Sequence, residues 1–290
     1  MEHGRFDYSP IIDRAPLKLP NGARVAVWVA PNIEHFAWNG RSTSITHATS
    51  SLVPDVLNHS WRDYGVRVGI WRMMETLEKY GVTATVSLNS DVCLHYPRII
   101  EEGVKLGWEW MGHGRRNTEF ITGFGIDEER AIIQEVHKVI TDSTGTPPRG
   151  WLGPALTETE NTLDLLAETG FEYVGDWVND DQPYPIKTKA GTMYSIPYSI
   201  EVNDIPAFVD RGWSAEQFCQ VLIDQFDVLY RDGEKTARVM AICLHPFLMG
   251  LPYRDKYLRR ALEYITGHDG VWVTTGSEIV DWYKAATGAA

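Results

Sequence analysis

Three stretches of the chain place ionisable side chains where apolar runs stop. Arg24-Val-Ala-Val-Trp-Val-Ala-Pro31 ends in Asn32-Ile33-Glu34-His35. Gly107-Trp-Glu-Trp-Met-Gly-His-Gly-Arg-Arg-Asn117 runs into a loop in which Gly112 and Gly114 flank His113. Arg238-Val-Met-Ala-Ile-Cys-Leu244 leads into His245-Pro246. A carboxylate near two imidazoles is a minimal set for activating water and protonating a leaving group. Glu34 is the expected base, its pKa raised by the apolar strand beside it. His113 is expected to polarise the group under attack and His245 to protonate the leaving group. Arg115, Arg116 and Arg254 are candidates for binding a carboxylate or another polarised oxygen, although a surface ion pair is the commoner fate of an arginine. Taken singly, each stretch also reads as a cap, a turn or a solvated loop, and His245 also as a buried, hydrogen-bonded core histidine.

The elements that must position these groups follow an alternating pattern. Apolar runs at 24–31, 82–88, 108–111, 171–175, 238–244 and 271–274 read as strands buried on both faces. Between them, helical spacing marks 66–80 (Val66, Ile70, Met73, Met74, Leu77), 95–106, 127–141, 159–169, 215–231, 255–267 and a last helix from Ser277. Residues 193–197 read as a further short strand, and 36–65 and 176–185 as loops. Repeated strand-then-helix units imply a parallel sheet clad in helices. Their number, about seven or eight, points to an α/β barrel of parallel strands and not an open sheet, and in such a barrel the loops after the strands share one face. No GxGxxG follows the first strand, so a dinucleotide fold loses ground. Residues 1–20, with Pro10, Pro16 and Pro20, read as an N-terminal arm, and 21–290 as a single barrel domain.

Composition narrows the partners. A net charge of -12 over 290 residues argues against nucleic-acid or anionic-membrane binding, which need a basic face. Cys93, Cys219 and Cys243 are far apart and cannot all pair within one chain, so a disulfide framework is not expected. The first twenty residues lack the apolar core of a signal peptide, and no apolar run reaches spanning length. A cytoplasmic protein is the expectation.

The order of polar strand ends resembles the NodB-homology polysaccharide deacetylases, and more closely their branch of allantoinases and cyclic imide hydrolases. The resemblance covers the chain from about residue 24 to the last helix. It implies a distorted (β/α) barrel. In those deacetylases the first strand ends in Thr-Phe-Asp-Asp-Gly; Asn32-Ile33-Glu34-His35-Phe36 stands in its place. The resemblance puts Glu34 at the base position and His35 at a metal-ligand position. Their His-Ser-x-x-His motif supplies two metal ligands, but here it is His113-Gly-Arg-Arg-Asn117, with asparagine for the second histidine. Arg149 and Pro154 bracket Trp151-Leu152-Gly153 without the usual spacing of the third motif. Asp176-Trp177 matches the element after the fifth strand, and Leu244-His245 matches the end motif through its histidine alone.

A catalytic zinc site wants about three protein ligands from His, Cys and carboxylate, and a neutral amide is a poor one. His35 and His113 are left as the metal candidates. The allantoinase branch implies catalysis without metal, so no cofactor is the first expectation and a divalent metal such as zinc the alternative. Asn32, His35, Asn117, Trp151, Asp176, Trp177 and Arg254 are the expected substrate-binding residues. Aromatics at Phe36, Trp38, Tyr184 and Phe247 suit either a sugar groove or a pocket for a flat heterocycle. The leading expectation is a hydrolase that opens a small cyclic amide, imide or ureide of the allantoin kind. A metal-dependent amino-sugar N-deacetylase and a non-catalytic ligand-binding barrel are the alternatives. The resemblance also implies a homo-oligomer acting on a small molecule.

Overall fold

Strand β1 (Val25–Ile33) is buried at all nine residues because sheet neighbours flank it and both its faces are packed. Its side chains alternate between two cores, as a period of two requires. Val25, Val27 and Val29 join the large cluster that packs the sheet against the helices. Ala26, Trp28 and Ala30 point the other way, into a second cluster with Met111, Leu152, Tyr173 and Tyr198. The buried Trp28 indole donates to the Pro197 carbonyl at 3.0 Å, which removes the cost of an unpaired N–H.

The computed structural model describes residues 2–40, 42 and 45–288. The other strands are β2 (Thr85–Leu88), β3 (Glu109–Gly112), β4 (Gly150–Trp151), β5 (Tyr173–Val174), β6 (Tyr184–Thr188), β7 (Gly191–Ser195), β8 (Arg238–Leu244) and β9 (Val271–Val273). Their order is β6-β7-β5-β4-β3-β2-β1-β8, with β9 also on β1. All pairings are parallel except the β6–β7 hairpin. The sheet curls into a half-barrel in which β6 and β8 form the two edges. The chain ahead of β6 reaches across, Val239 N–H donating to the Asp181 carbonyl at 2.9 Å. Asn203 bridges Cys243 along the same edge of β8. The N-terminal arm lies along this seam, tied by Arg5 to Asp164 at 2.7 Å and by Arg14 to Asp180 at 2.5 Å.

The segment 36–65 is not the plain loop expected. It contains a helix, Val56–Tyr64, whose Asp55 cap accepts the Asn58 N–H at 3.0 Å. Its buried residues are Asn58 and Arg62, both polar, so no apolar periodicity announces it. Positions 41, 43 and 44 lie outside the described residues. Part of the expected 176–185 loop is likewise the start of β6. The expected helix at 95–106 is two, Ser90–His95 and Pro97–Lys105, because proline opens the second.

The helix after Tyr64 starts as a π turn, Gly65–Gly69, and continues as Ile70–Lys79. Gly69 lets that backbone approach the His245 loop, since a Cβ there would sit 2.1 Å from the Pro246 carbonyl oxygen. Gly69→Ala should therefore destabilise the fold by about 1–3 kcal/mol through forced backbone displacement. Denaturant melts would show it as a lower midpoint at unchanged slope; an unchanged midpoint would mean this contact does not hold the loop.

Candidate active site

Register alone gathers the first three groups. Ile33 pairs with Leu88, Leu88 with Gly112, and Gly112 with Trp151. The residues one step beyond, Glu34, Asn89, His113 and Leu152, therefore emerge at one level of the curl. Pro31 pairs with Leu244, which brings His245 to the same end from the other side of β1. Gly114 takes φ +66°, a conformation that lets the chain turn immediately after His113. Gly112 serves differently: a Cβ would meet the Trp151 ring at 2.7 Å, so glycine allows β3 and β4 to close up.

Glu34 is the centre. Its Oε1 lies 3.5 Å from His113 Nε2 and 3.6 Å from His245 Nε2, and it accepts a hydrogen bond from the Asn117 side-chain amide. The expectation of a raised pKa is overturned. Burial does push the carboxyl up, but the His245 charge and the hydrogen bonds from both histidines outweigh it and hold it well below the usual carboxylate range. Glu34 is thus a carboxylate fixed by neighbours, whose second oxygen, Oε2, is buried without a hydrogen-bond partner.

His245 is held by Asp204 twice. Its Nδ1 is 2.6 Å from Asp204 Oδ1, and its backbone N–H donates to Oδ2 at 2.8 Å. Burial works against the imidazolium, yet the Asp204 and Glu34 charges overcome it and push the pKa up to about 9. At neutral pH His245 is therefore charged, with an N–H on the Nε2 that faces Glu34. His113 is oriented by its Nδ1, 2.5 Å from the Leu152 carbonyl. A carbonyl only accepts, so that nitrogen carries a proton and Nε2 faces Glu34. To polarise a substrate carbonyl, as expected of it, His113 must be doubly protonated. Asn89 completes the frame: its amide donates to the His113 carbonyl and to Asn117 Oδ1 at 3.2 Å, while its oxygen accepts the His35 N–H at 2.9 Å.

Of the expected site residues, Glu34, His113, His245 and Asn117 come together. Others take different places. Asn32 ties β1 to its surroundings, donating to Tyr198 Oη at 3.0 Å and to the Ala30 and Leu244 carbonyls. Trp151 is fully buried and packs edge-on against Phe171. Asp176 accepts the Gly153 N–H at 2.7 Å, beneath the loop. Trp177 turns to the arm, against Phe6 and His3. Arg254 stacks over Phe208 at 3.9 Å. Arg115 and Arg116 pair with Glu119 and Asp91, as surface arginines do. Arg149 is far from this end, bound to Glu172 and Asp281.

The metal donors implied by the motifs do not converge. Asn117 spends its amide on Glu34, and His35 faces His95 instead of His113. Among the described residues, one group of donors lies within 4.8 Å of one another, His35, Asp91 and His95. It is a possible His/Asp/His site, but the two rings stack at 13°, so their lone pairs run side by side, and Arg116 already holds Asp91 at 2.9 Å. The pairing of His35 with His113 as ligands is not what the side chains form.

Four residues escaped the sequence reading. Asn89 follows β2 directly and could have been found as another polar strand end. Asp204 sits in an aperiodic stretch 41 residues before its partner, with no local signal. Arg62 lies on the unexpected helix, its guanidinium 3.8 Å over Phe36 and 4.9 Å over Phe247. Burial lowers its pKa to about 10, partly offset by Glu34. Glu158 faces Asp176 below His113. A cavity of about 1370 Å³ lies elsewhere, between the arm and the seam near Tyr198 and Met240. It contains none of the base, acid or imidazole groups, so chemistry and not volume locates the site.

The half-barrel with polar groups at its strand ends is the architecture of the NodB-like deacetylases. Residues 62–174 match the polysaccharide deacetylase family, and the chain carries that NodB-homology domain. A Schizosaccharomyces pombe protein, provisionally named a polysaccharide deacetylase, is 29% identical over 92% of this chain and 92% of its own. The peptidoglycan deacetylase of Helicobacter pylori is 27% identical over 74% of this chain and 83% of its own. The crystal structure of PuuE allantoinase superposes with a TM-score of 0.85 at 27% identity, covering 98% of this chain and 100% of that one. The family match and these relatives support a hydrolase of C–N bonds. No helix among the described residues is long and apolar enough to cross a membrane.

Proposed function

We propose that the chain opens a small cyclic amide, imide or ureide by attack of water, without a metal. The observation that carries this reading is the Glu34 carboxylate held between His113, His245 and the amide of Asn117, which replaces the second metal-ligating histidine of the deacetylase motif and is spent on Glu34. Water against Glu34 Oε2 loses a proton to the carboxylate as it attacks the carbonyl carbon. Arg62 and a doubly protonated His113 offset the charge that develops on the carbonyl oxygen. His245 delivers its Nε2 proton to the ring nitrogen as the C–N bond breaks, and Asp204 keeps the imidazolium in place. Glu34, His113 and His245 are only 8%, 2% and 4% exposed, which suits a small enclosed substrate better than a polymer chain. The full-length likeness to an allantoinase supports the same class.

Asn117 and the neighbouring aromatics Phe36 and Phe247 are the substrate-facing residues of this reading. The domain boundaries at 1–20 and 21–290, a cytoplasmic location and assembly into a homo-oligomer belong to the same proposal. The test is ring opening across allantoin, hydantoin and succinimide-type compounds. Activity on this panel is expected to survive exhaustive chelation. Loss on chelation with recovery on zinc, together with acetate release from N-acetylglucosamine oligomers, would select the second reading. That reading has its support in the deacetylase relatives.

A further inference from the structure

Behind His113 lies a run of polar contacts that the reaction, as proposed, does not itself use. His113 Nδ1 donates to the Leu152 carbonyl at 2.5 Å. The N–H of that same peptide, on Gly153, donates to Asp176 Oδ1 at 2.7 Å. Asp176 in turn faces Glu158, and Glu158 Oε1 accepts the Trp177 indole N–H at 3.2 Å. One planar peptide thus has the imidazole at its oxygen and a carboxyl at its nitrogen. Because its C–N bond is partly double, hydrogen bonding at one end strengthens the dipole offered at the other.

Asp176 Oδ2 is buried and has no donor. A carboxylate facing a second carboxylate leaves both oxygens unsatisfied unless a proton lies between them. Burial pushes Glu158 up to about 7, and burial followed by the Glu158 charge pushes Asp176 well above the carboxylate range. The pair therefore retains a proton at neutral pH and titrates as a unit. Few other charges reach it. Arg5 acts on Glu158 but is tied to Asp164, and Glu129 is tied by the Thr159 and Thr162 hydroxyls. The loop between Gly153 and Glu158 is itself forced. Ala155 and Leu156 both take positive φ, 55° and 56°, and a Cβ on Gly153 would come within 2.4 Å of the Thr157 carbonyl oxygen. Two successive left-handed non-glycine residues cost free energy that the surrounding contacts must offset.

We propose that Asp176 and Glu158 are a positioning pair for His113. Sharing one proton, they clamp the Leu152–Gly153 peptide so that its carbonyl keeps Nδ1 protonated and turns Nε2 toward Glu34. The role rests on the reading of His113 as part of the reaction, but the clamp itself is testable without substrate.

The experiment is 15N NMR of the histidine rings in the free full-length protein, followed by steady-state kinetics on the cyclic amide panel. Wild type is expected to show a proton held on His113 Nδ1 in a single environment, as its hydrogen bond to the Leu152 carbonyl requires. Asp176→Ala should shift and broaden that Nδ1 signal and lower kcat by about 10–100-fold, the range known for removing the outer partners that orient metal-bound histidines, with KM nearly unchanged. Asp176→Asn keeps an acceptor for Gly153 and gives an amide donor to Glu158, so it should restore both the His113 signature and most of kcat. If Asp176→Ala does not fold, Glu158→Ala replaces it, with the His113 shift in the same direction. Unchanged His113 resonances in the alanine variant would overturn the proposal, as would an asparagine variant as perturbed as the alanine one. A displaced His113 signature without turnover on any panel compound would instead sink the proposed function and leave the clamp standing.

Discussion

Glu34→Gln is expected to lower kcat/KM by about 10³-fold, within the range for loss of a positioned acid or base, while the protein remains folded. The amide matches the carboxylate in shape and keeps an acceptor for Asn117, so packing around β1 is preserved. It removes the group that takes the proton from water and the charge that His113 and His245 share. The expected signature is a fall in kcat with little change in KM, because the interaction lost is made mainly as water attacks. Circular dichroism and thermal melts would establish folding, and a variant within tenfold of wild type would exclude Glu34 as the base. The depressed pKa does not contradict this role. It keeps Glu34 ionised across the neutral range, and its basicity rises as His245 gives up its proton during the reaction.

Asp204→Asn carries the second large effect. Asp204 supplies the largest favourable contribution to the charged form of His245, raising it from 6.5 to about 9 against burial. In wild type, kcat/KM should fall as pH rises through about 9, because the imidazolium that protonates the leaving nitrogen is lost. In the variant that limb should move toward neutrality by about one unit or more, and activity at pH 8 should drop accordingly. Stability follows the same sign. The His245 contribution is fully present below its unfolded value of 6.5 and is lost as pH rises through about 9. Glu34 acts oppositely: its contribution is present above its unfolded value of 4.5 and is lost as pH falls through its depressed folded value. Denaturation across pH would show both flanks in wild type and a weakened alkaline flank in Asp204→Asn. An alkaline limb that stays at its wild-type position would show that Asp204 does not control His245.

The parallel sheet was legible because its strands are near-continuous apolar runs, and the site was legible because polar residues interrupt them at the ends. Glu34, His113 and His245 each follow such a run directly, so strand register carries them to one place. What escaped depends on contacts distant in sequence. Asp204 reaches His245 through a segment without periodicity, and Arg62 lies on a helix whose inward face is polar, Asn58 and Arg62, leaving no apolar stripe to detect. The pKa of Glu34 was misjudged for a related reason. An apolar strand beside a carboxyl is visible in the sequence, whereas two imidazoles and an amide from three other segments are not. His35, which the resemblance put at a metal-ligand position with His113, is sent by the backbone turn to stack on His95 instead.

The central claim is that Glu34 and His245 hydrolyse a cyclic C–N bond without a metal. Its most direct test is turnover of the cyclic amide, imide and ureide panel by untagged protein stripped of metal, with elemental content measured on the same sample. The account predicts ring-opened product at the rate of the untreated protein and no stoichiometric zinc, nickel or cobalt. Absence of ring opening across the panel, or activity that appears only when metal is restored, would contradict it.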